Sequence, residues 1–301
     1  MKKNSFAGTN HVAEVEFKLM KSFDILRGLI STDEFYILLY LLILKRDGFI
    51  SELNENHSGS SSYDLIDAIH KYASSSKEDF EIWRLNRVFE PVINHLSDSA
   101  VAELIFLFDS IDQHTLEANF STIFDNLLYT IAKSQGKYGG EFSQPVEITR
   151  LICGLANINQ NTKVFNPFAG IASFNVLSEV GNNYLGQEKN YKVWILGTLR
   201  LLAYNKLETS IYRNEDSFDK WPEESQFDLI ISNPPFGMKL HNQYKWQYPE
   251  IQNAEQFLIE KGISSLSRRG KLIAVLSNGF LFRGGAEQRL REKLIEYDLI
   301  D

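Results

Sequence analysis

The residues best suited to chemistry in this sequence form the run Asn233-Pro234-Pro235-Phe236, directly after an apolar stretch typical of a strand. The two prolines remove two backbone donors and stiffen the turn, so its carbonyl groups point outward without competing N–H groups. Together with the Asn233 amide oxygen they form an acceptor pair suited to one NH₂ group. Phe236 supplies a flat face beside that pair. The turn therefore predicts chemistry on an exocyclic amine.

Three further strand ends carry residues suited to holding a nucleotide-like ligand. The first ends in Asn166-Pro167-Phe168-Ala169-Gly170, where a small residue lets the backbone approach a ligand at the start of the next helix. The second ends in Glu188, an acid that can accept both hydroxyls of a ribose. After the third, Asp216 could read an adenine amino group, with the Phe218 ring beside it.

The elements that must position these groups follow an alternating pattern in the second half of the chain. Short β-rich runs are predicted at residues 163–166, 183–187, 210–214, 227–232 and 271–277. Helical patterns separate them at 173–180, 191–205 and 254–267, and another precedes the first strand at 146–156. This alternation predicts an α/β domain whose parallel sheet is covered by helices on both faces. Ligands of such sheets bind beyond the carboxyl ends of the strands.

The first half of the chain is predicted to be helical. Apolar residues recur at three- and four-residue spacing over 12–27, 33–46, 63–72, 80–92, 99–111 and 116–131. The candidate N-caps are Ser31 or Thr32, Ser62 and Asp98, and residues 54–62 are predicted to be a polar loop. A glycine-rich connector at 135–140 follows. We therefore expect an N-terminal helical domain at 1–134 and a second domain at 135–301.

Composition excludes several classes of protein. With 31 basic and 39 acidic residues the net charge is −8, which excludes a free-standing polybasic nucleic-acid binder. A single cysteine excludes an internal disulfide, and six scattered histidines predict no metal site. The most apolar run, 35–44, is too short for a bilayer and predicts a buried helix. We expect a soluble cytoplasmic protein with no membrane partner.

Taken together, the blocks resemble those of the N6-adenine DNA methyltransferases, and within them the modification subunits of type I restriction-modification systems. The resemblance rests on five blocks in the family's order, at residues 26–46, 140–145, 166–174, 233–236 and 270–287. The run 233–236 matches the family's catalytic tetrapeptide, and residues 270–287 closely resemble the family's sequence in the corresponding segment. These blocks extend over nearly the whole chain.

The resemblance implies a Rossmann-like S-adenosylmethionine-dependent methyltransferase domain behind a helical domain. It implies site-specific DNA methylation at the N6 amine of an adenine flipped out of the duplex. Catalysis would rest on Asn233, Pro234, Pro235 and Phe236. S-adenosylmethionine would be held by the following residues: Phe142, Ser143, Pro145, Asn166, Pro167, Phe168, Gly170, Glu188, Asp216, Ser217 and Phe218.

It also implies partners and a larger sheet. Double-stranded DNA would be the substrate, a separate specificity subunit would read its sequence, and a restriction subunit is a further candidate partner. The family's sheet has seven strands, whereas five are readable here and a sixth is expected to begin at residues 297–301. We therefore expect a sheet that is truncated at the C-terminus, with the last strands missing or supplied by another chain.

The sequence departs from the family pattern in the cofactor blocks. Asn166 stands where an acid is usual, Ile171 is bulkier than expected, and Gln144 replaces a threonine. Two rival functions stay open: a protein glutamine-N5 methyltransferase, whose similar turn usually ends in tyrosine, and a catalytically silent module that binds DNA or subunits. The basic and aromatic residues at 237–248 either grip DNA or pack on their own domain. Arg268 and Arg269 are expected at an exposed helix C-terminus.

Overall fold

A computed structural model of the chain describes residues 5–55, 61–76, 79–134, 144–178, 183–222 and 226–300. The chain divides into two compact units, one comprising residues 1–143 and 198–208 and the other residues 144–197 and 209–301. None of the helices in these ranges is both long enough and apolar enough to cross a membrane.

The first unit is built from helices. Their bounds are α1 Ser5–Leu26, α2 Ile37–Arg46, α3 Phe49–Glu55, α4 Ser62–Ser75, α5 Asp79–His95, α6 Asp98–Asp109 and α7 Gln113–Ser134, with a 3₁₀ turn at Thr32–Glu34. Helix α2 is buried on all sides, as its apolar run predicts. Its Lys45 is buried too, and its ammonium group lies 3.3 Å from the Asp109 carboxylate. Pairing offsets the cost of burying that charge.

Several local predictions for this unit were wrong. Helix α3 includes Asn54 and Glu55, which the sequence placed in a polar loop, while residues 56–60 lie outside the described ranges. The N-caps of α4 and α6 are Ser61 and Ser97, each one residue before the predicted cap. Serine and aspartate side-chain oxygens at neighbouring positions satisfy the same capping preference, so composition alone does not fix the boundary.

The second unit contains a five-stranded sheet in the order β3-β2-β1-β4-β5. The strands are β1 Val164–Asn166, β2 Tyr184–Gln187, β3 Ser210–Arg213, β4 Phe227–Ser232 and β5 Leu266–Ala274. All four strand pairings are parallel, which confirms the predicted α/β class. Strand order reverses between β1 and β4, and α/β proteins of this kind bind ligands outside such a reversal.

Helices connect the strands and cover both faces of the sheet. They are α8 Val146–Ala156, α9 Ser173–Leu177, α10 Tyr191–Ala203, α11 Asn242–Lys245, α12 Ala254–Ser264 and α13 Ala286–Glu296. In β4, Leu229 and Ile231 pack with Ile152 of α8, whereas Ile230 packs with Phe257 of α12. Successive side chains of a strand point to opposite faces, so β4 anchors both hydrophobic layers.

The C-terminal part differs from the prediction. Strand β5 begins at Leu266 rather than near residue 271, and Arg268 and Arg269 lie exposed within it instead of ending a helix. An irregular register between β4 and β5 accommodates the extra residues. The expected sixth strand is absent from residues 297–300. There Leu299 donates its backbone N–H to the Leu294 carbonyl, which closes α13 with a Schellman-type cap.

Candidate functional site

The predicted site residues come together where the strands end. Because β1 pairs in parallel with both β2 and β4, and β2 with β3, the carboxyl ends of these strands share one edge. Within the second unit, that edge brings Asn166, Glu188, Asp216 and Asn233 onto four neighbouring loops.

Asn166 ends β1, and its side chain is fully engaged inside the protein. It is 0% exposed, and its Oδ1 accepts hydrogen bonds from the Phe168 backbone N–H at 3.2 Å and from the Ser232 hydroxyl at 3.0 Å. Its Nδ2 donates to the Tyr184 hydroxyl at 3.2 Å. The structure therefore uses Asn166 to shape the loop and to tie β1 to its neighbours, rather than exposing it to a ligand.

The next loop residues are held in the same way. The Ser217 hydroxyl, which is buried, lies within hydrogen-bond distance of the Pro167 carbonyl and of Gln187 Oε1. Gln187 Nε2 in turn donates to Glu215 Oε2 at 3.0 Å. The predicted residues Pro167 and Ser217 thus link the first and third loops through their own hydrogen bonds.

Glu188 bridges the turn after β1 and the start of α10. Its Oε2 accepts from the Gly170 N–H at 3.1 Å, and its Oε1 accepts from the Asn190 N–H at 2.6 Å. Gly170 has φ +54°, a left-handed conformation that favours glycine. Burial raises the pKa of the Glu188 carboxyl above its ordinary value, against the lowering effect of these two hydrogen bonds.

Asp216 is the second acid at this edge, and three donors hold it. Its Oδ2 lies 2.8 Å from the Lys189 ammonium and accepts from the Tyr244 hydroxyl at 2.6 Å, while its Oδ1 accepts from the Phe218 N–H at 3.0 Å. Burial alone would raise the pKa of Asp216, but the hydrogen bonds from Lys189 and Tyr244 bring it below its ordinary value. Asp216 therefore stays ionised, and its three hydrogen-bond donors hold its carboxylate in one orientation.

Phe218 belongs to the hydrophobic core. Its side chain is 2% exposed, and its ring lies 4.7 Å from the Phe257 ring and 5.6 Å from the partly buried Phe168 ring, centroid to centroid. Phe168 is thus the more accessible of the two predicted aromatic residues, and the buried Phe218 ring packs against it.

The turn after β4 differs from these loops. We call residues 233–237 the Asn233 turn. Asn233 is half-buried, and within the described ranges its amide has no hydrogen-bond partner. The same holds for the Pro234 carbonyl, and the Phe236 ring is 56% exposed. Two acceptors and an aromatic face are therefore available at the edge where β1 and β4 adjoin.

The Asn233 turn is anchored at its end by a buried acid. Glu255, in the first turn of α12, accepts the Gly237 N–H on Oε2 at 3.1 Å and the Ser277 N–H on Oε1 at 2.6 Å. Gly237 has φ +65°. One carboxylate thus joins the segment after β4 to the segment after β5.

Beyond the turn lies an ordered loop, residues 239–253, closed at its base by a bridge between Lys239 and Asn253. Tyr244 and Tyr248 point inward and join the hydrophobic core. Trp246 is 91% exposed on the outside of this 239–253 loop. The packing of Tyr244 and Tyr248 agrees with the interpretation that the loop packs on its own domain, while contact with DNA stays a prediction.

Some predicted residues lie elsewhere. Phe142 and Ser143 are outside the described residues. Pro145 is exposed and forms the N-cap of α8, while the Gln144 amide donates to the Thr149 hydroxyl at 3.0 Å. No cluster of three or more His, Cys, Asp or Glu side chains that could hold a metal ion occurs in the ranges that the structure describes.

Sequence reasoning missed three residues that organise the site: Lys189, Tyr244 and Glu255. Lys189 directly follows Glu188, so its place beside a strand end was visible. Tyr244 had no local signal, because it meets Asp216 only in the folded chain. Glu255 follows an Asn-Ala start of a helix, where an acid is favoured by the helix dipole.

A parallel sheet with a glycine turn after its first strand and acids after the next two strands defines a Rossmann-like fold. A sequence model described as N-6 DNA Methylase matches residues 116–301, which is more than half of the chain. The chain belongs to the N-6 DNA methylase family, as its ordered blocks predicted.

Known proteins agree with this placement. The MjaVII type I restriction enzyme methylase subunit of Methanocaldococcus jannaschii is 26% identical over 268 residues, covering 79% of this chain and 46% of the relative. The chain spans about half the length of the curated relatives it matches.

Solved structures show the same fold. The methyltransferase subunit of a type I restriction-modification system from Streptococcus thermophilus matches with a TM-score of 0.67 and 17% identity, over 95% of this chain and 79% of that one. A Listeria monocytogenes protein assigned to the class I S-adenosylmethionine-dependent methyltransferases matches with a TM-score of 0.62 and 12% identity, over 96% and 79%. The fold is therefore that of S-adenosylmethionine-dependent methyltransferases.

Proposed function

We propose that this chain is the catalytic part of a site-specific DNA adenine-N6 methyltransferase, acting as the modification subunit of a type I restriction-modification system. It would transfer a methyl group from S-adenosylmethionine to an adenine flipped out of DNA. The observation that carries this proposal is the Asn233 turn, whose acceptors have no protein partner among the described residues and whose Phe236 ring is exposed.

The acceptors of the Asn233 turn suit an exocyclic amine. The Asn233 Oδ1 and the Pro234 carbonyl would each accept one hydrogen of the N6 amine, and the Phe236 ring would stack on the base. Stacking of a base on an aromatic side chain is worth about 1–3 kcal/mol. Neither acceptor has a protein partner among the described residues, so a substrate that supplies two N–H donors can satisfy both.

The cofactor proposal rests on the opposite loops. Glu188 is only half-buried and keeps lone pairs beyond its two hydrogen bonds, which suits the two hydroxyls of a ribose. Asp216 would accept a hydrogen bond from the adenine amine of S-adenosylmethionine in place of its contact with Lys189. Gly170, which has no side chain, would let the backbone approach the cofactor. Asn166 would act indirectly, because its side chain is buried and its hydrogen bonds shape the loop that would contact the cofactor.

The work of the protein in this reaction is positioning. S-adenosylmethionine, when bound, supplies an electrophilic methyl group. The Asn233 and Pro234 acceptors hold the two amine hydrogens, so that the nitrogen lone pair is left to act as the nucleophile. Phe236 fixes the plane of the base. Positioning and preorganised dipoles of this kind account for large parts of enzymatic rate enhancement, and no covalent link to the protein is needed.

DNA contact is proposed for the 239–253 loop. Its outer side presents Trp246 together with the exposed Lys239, His241 and Lys245. In a chain of net charge −8 this is a local basic and aromatic surface, of the kind that binds a nucleic acid backbone and stacks on bases. Sequence specificity would come from a separate specificity subunit, with a restriction subunit as a further partner.

The test is a methyl-transfer assay on the full-length natural protein together with its specificity subunit. Labelled S-adenosylmethionine is supplied with genomic DNA, and the DNA is digested to nucleosides. The expected product is N6-methyladenine in the wild type and none above background in Asn233→Ala. Label in cytosine, or in no nucleoside, contradicts the proposal.

The same assay separates the two rivals. Label recovered as N5-methylglutamine in a protein would favour the glutamine methyltransferase. An assembly that binds DNA without any transfer, and that Asn233→Ala leaves unchanged, would favour the silent module.

A further inference from the structure

Glu255 is an acid buried almost completely within the second unit. It lies 2% exposed in the first turn of α12, where the helix dipole favours a negative charge. The helix start is fixed separately, because Asn253 caps it through the Gln256 N–H at 2.8 Å and donates to Glu287 at 3.0 Å. Glu255 is therefore not needed as the cap, and its carboxylate is free to hold other groups.

Its two oxygens reach two different loops. Oε2 accepts the Gly237 N–H at 3.1 Å, and Oε1 accepts the Ser277 N–H at 2.6 Å. Hydrogen bonds to a charged acceptor are roughly twice as strong as neutral ones. The carboxylate thus fixes the distance between the end of the Asn233 turn and the segment that follows β5.

The Asn233 turn has few other means of being held. Pro234 and Pro235 have no N–H, so beyond Asn233 the turn keeps backbone donors only at Phe236 and Gly237. The Asn233 amide has no partner of its own among the described residues. Its direction is therefore set by the backbone of the turn, and Glu255 holds the end of that backbone.

We propose that Glu255 is a positioning residue for methyl transfer: by holding the Gly237 N–H against the segment after β5, it fixes the direction of Asn233 and Phe236. This inference rests on the proposed function for its kinetic consequence. Its structural half, the anchoring of the turn, can be measured without any catalysis.

Two substitutions probe the anchor. Glu255→Gln keeps the size of the side chain but offers one acceptor and one NH₂, so the second backbone N–H faces a donor. Glu255→Asp keeps the charge but is one methylene shorter, so it cannot span both loops. The matched control is Glu260→Gln on the same helix, because Glu260 accepts from the Gln256 side chain at 2.9 Å and touches neither loop.

The experiment combines hydrogen exchange with kinetics on the full-length protein and its specificity subunit. In Glu255→Gln, amide exchange in a peptide spanning 233–240 is expected to rise about tenfold, while peptides from β1 and β2 are unchanged. The kcat for methyl transfer should fall about 10- to 100-fold, since small misplacements of reacting groups have effects of this size. S-adenosylmethionine affinity and DNA KM should stay within about twofold, and Glu260→Gln should match the wild type.

Several results would overturn the inference. One is unchanged exchange at 233–240 in both Glu255 variants. Another is a kcat within twofold of the wild type. A third is a parallel loss of cofactor affinity and exchange protection across the whole sheet, which would make Glu255 merely structural, as would failure of both variants to fold while Glu260→Gln folds. A wild type that exchanges as expected but methylates no adenine would instead refute the proposed function, and the exchange data would still decide the anchoring.

Discussion

The two halves of the sheet's carboxyl edge differ in how their polar groups are satisfied. On the β1–β3 side, Asn166, Glu188 and Asp216 are each bonded to several donors of the protein itself. On the β4 side, the Asn233 amide and the Pro234 carbonyl have no partner among the described residues. The polar side chains of the first half are already satisfied within the protein, whereas the acceptors of the second half remain available to solvent or to a substrate.

This difference assigns different consequences to mutation in each half. Substitutions on the β1–β3 side should act on cofactor affinity, whereas substitutions in the Asn233 turn should act on the transfer step. The following substitutions test whether the two halves act separately, in the full-length protein together with the proposed specificity subunit.

The largest effect is expected for Asn233→Ala. It removes one of the two acceptors for the amine, and losing one preorganised hydrogen bond to a reacting group lowers kcat by about 10²- to 10³-fold. Single-turnover transfer of labelled methyl groups would measure it. Asn161→Ala, an exposed asparagine before β1, is the control and should be silent.

Phe236→Ala is expected to weaken the hold on the flipped base by about 1–3 kcal/mol, or about 5- to 150-fold in kcat/KM. Fluorescence of 2-aminopurine placed at the target adenine would report the loss of stacking. Cofactor affinity should not change. A matching loss of cofactor binding would show that the two halves are not separate.

A pH dependence is expected for cofactor binding. Burial raises the pKa of Glu188, and a ribose diol would bind its ionised form, so binding would lower that pKa. Affinity is then full above the raised pKa and falls by up to about tenfold per pH unit as the pH drops through it. The decline should begin at a higher pH than for an ordinary glutamate, whose pKa is about 4.3.

Calorimetric titration across mildly acidic pH would measure this dependence. Asp216 should not contribute to the pH dependence in this mildly acidic range. Burial raises its pKa, but the hydrogen bonds from Lys189 and Tyr244 outweigh that effect and lower the pKa below its ordinary value. The Glu188→Gln variant should bind S-adenosylmethionine more weakly, with an affinity that does not change with pH over this range. A variant profile that still falls with decreasing pH would exclude Glu188 as the titrating group.

The smallest effect is expected for Tyr244→Phe. It removes the 2.6 Å hydrogen bond to Asp216 while keeping the ring that packs in the core. The pKa of Asp216 should rise towards its ordinary value. Cofactor affinity should fall about two- to tenfold, the size expected for the net contribution of an ordinary hydrogen bond, about 0.5–1.5 kcal/mol, because Tyr244 acts on the cofactor only through Asp216. Tyr248→Phe, on the same 239–253 loop, is the comparison that should leave affinity unchanged.

Much of the second unit was predictable from the sequence. The run 227–232 coincides with β4, because its apolar residues are bounded by polar and proline-rich segments that end a strand. Strand β5 was misplaced because Arg268, Arg269 and Gly270 interrupt its apolar pattern. It is an edge strand, whose exposed residues need not be apolar.

The candidate site was predictable in part. Strand ends are visible in sequence, so Glu188, Asp216 and Asn233 could be placed at one edge. Partners from distant segments could not, since Tyr244 and Glu255 reach their partners only through the fold. The role of Asn166 was also hidden, because its burial and its three hydrogen bonds follow from packing.

The division between the two halves is tested most directly by titrating S-adenosylmethionine into the wild type, Glu188→Ala and Asn233→Ala side by side in a calorimeter. We expect equal dissociation constants for the wild type and Asn233→Ala, and a constant at least about tenfold higher for Glu188→Ala, since hydrogen bonds to charged groups are worth about 1.5–3 kcal/mol. Equal weakening by both substitutions, or no binding by the folded wild type, would contradict it.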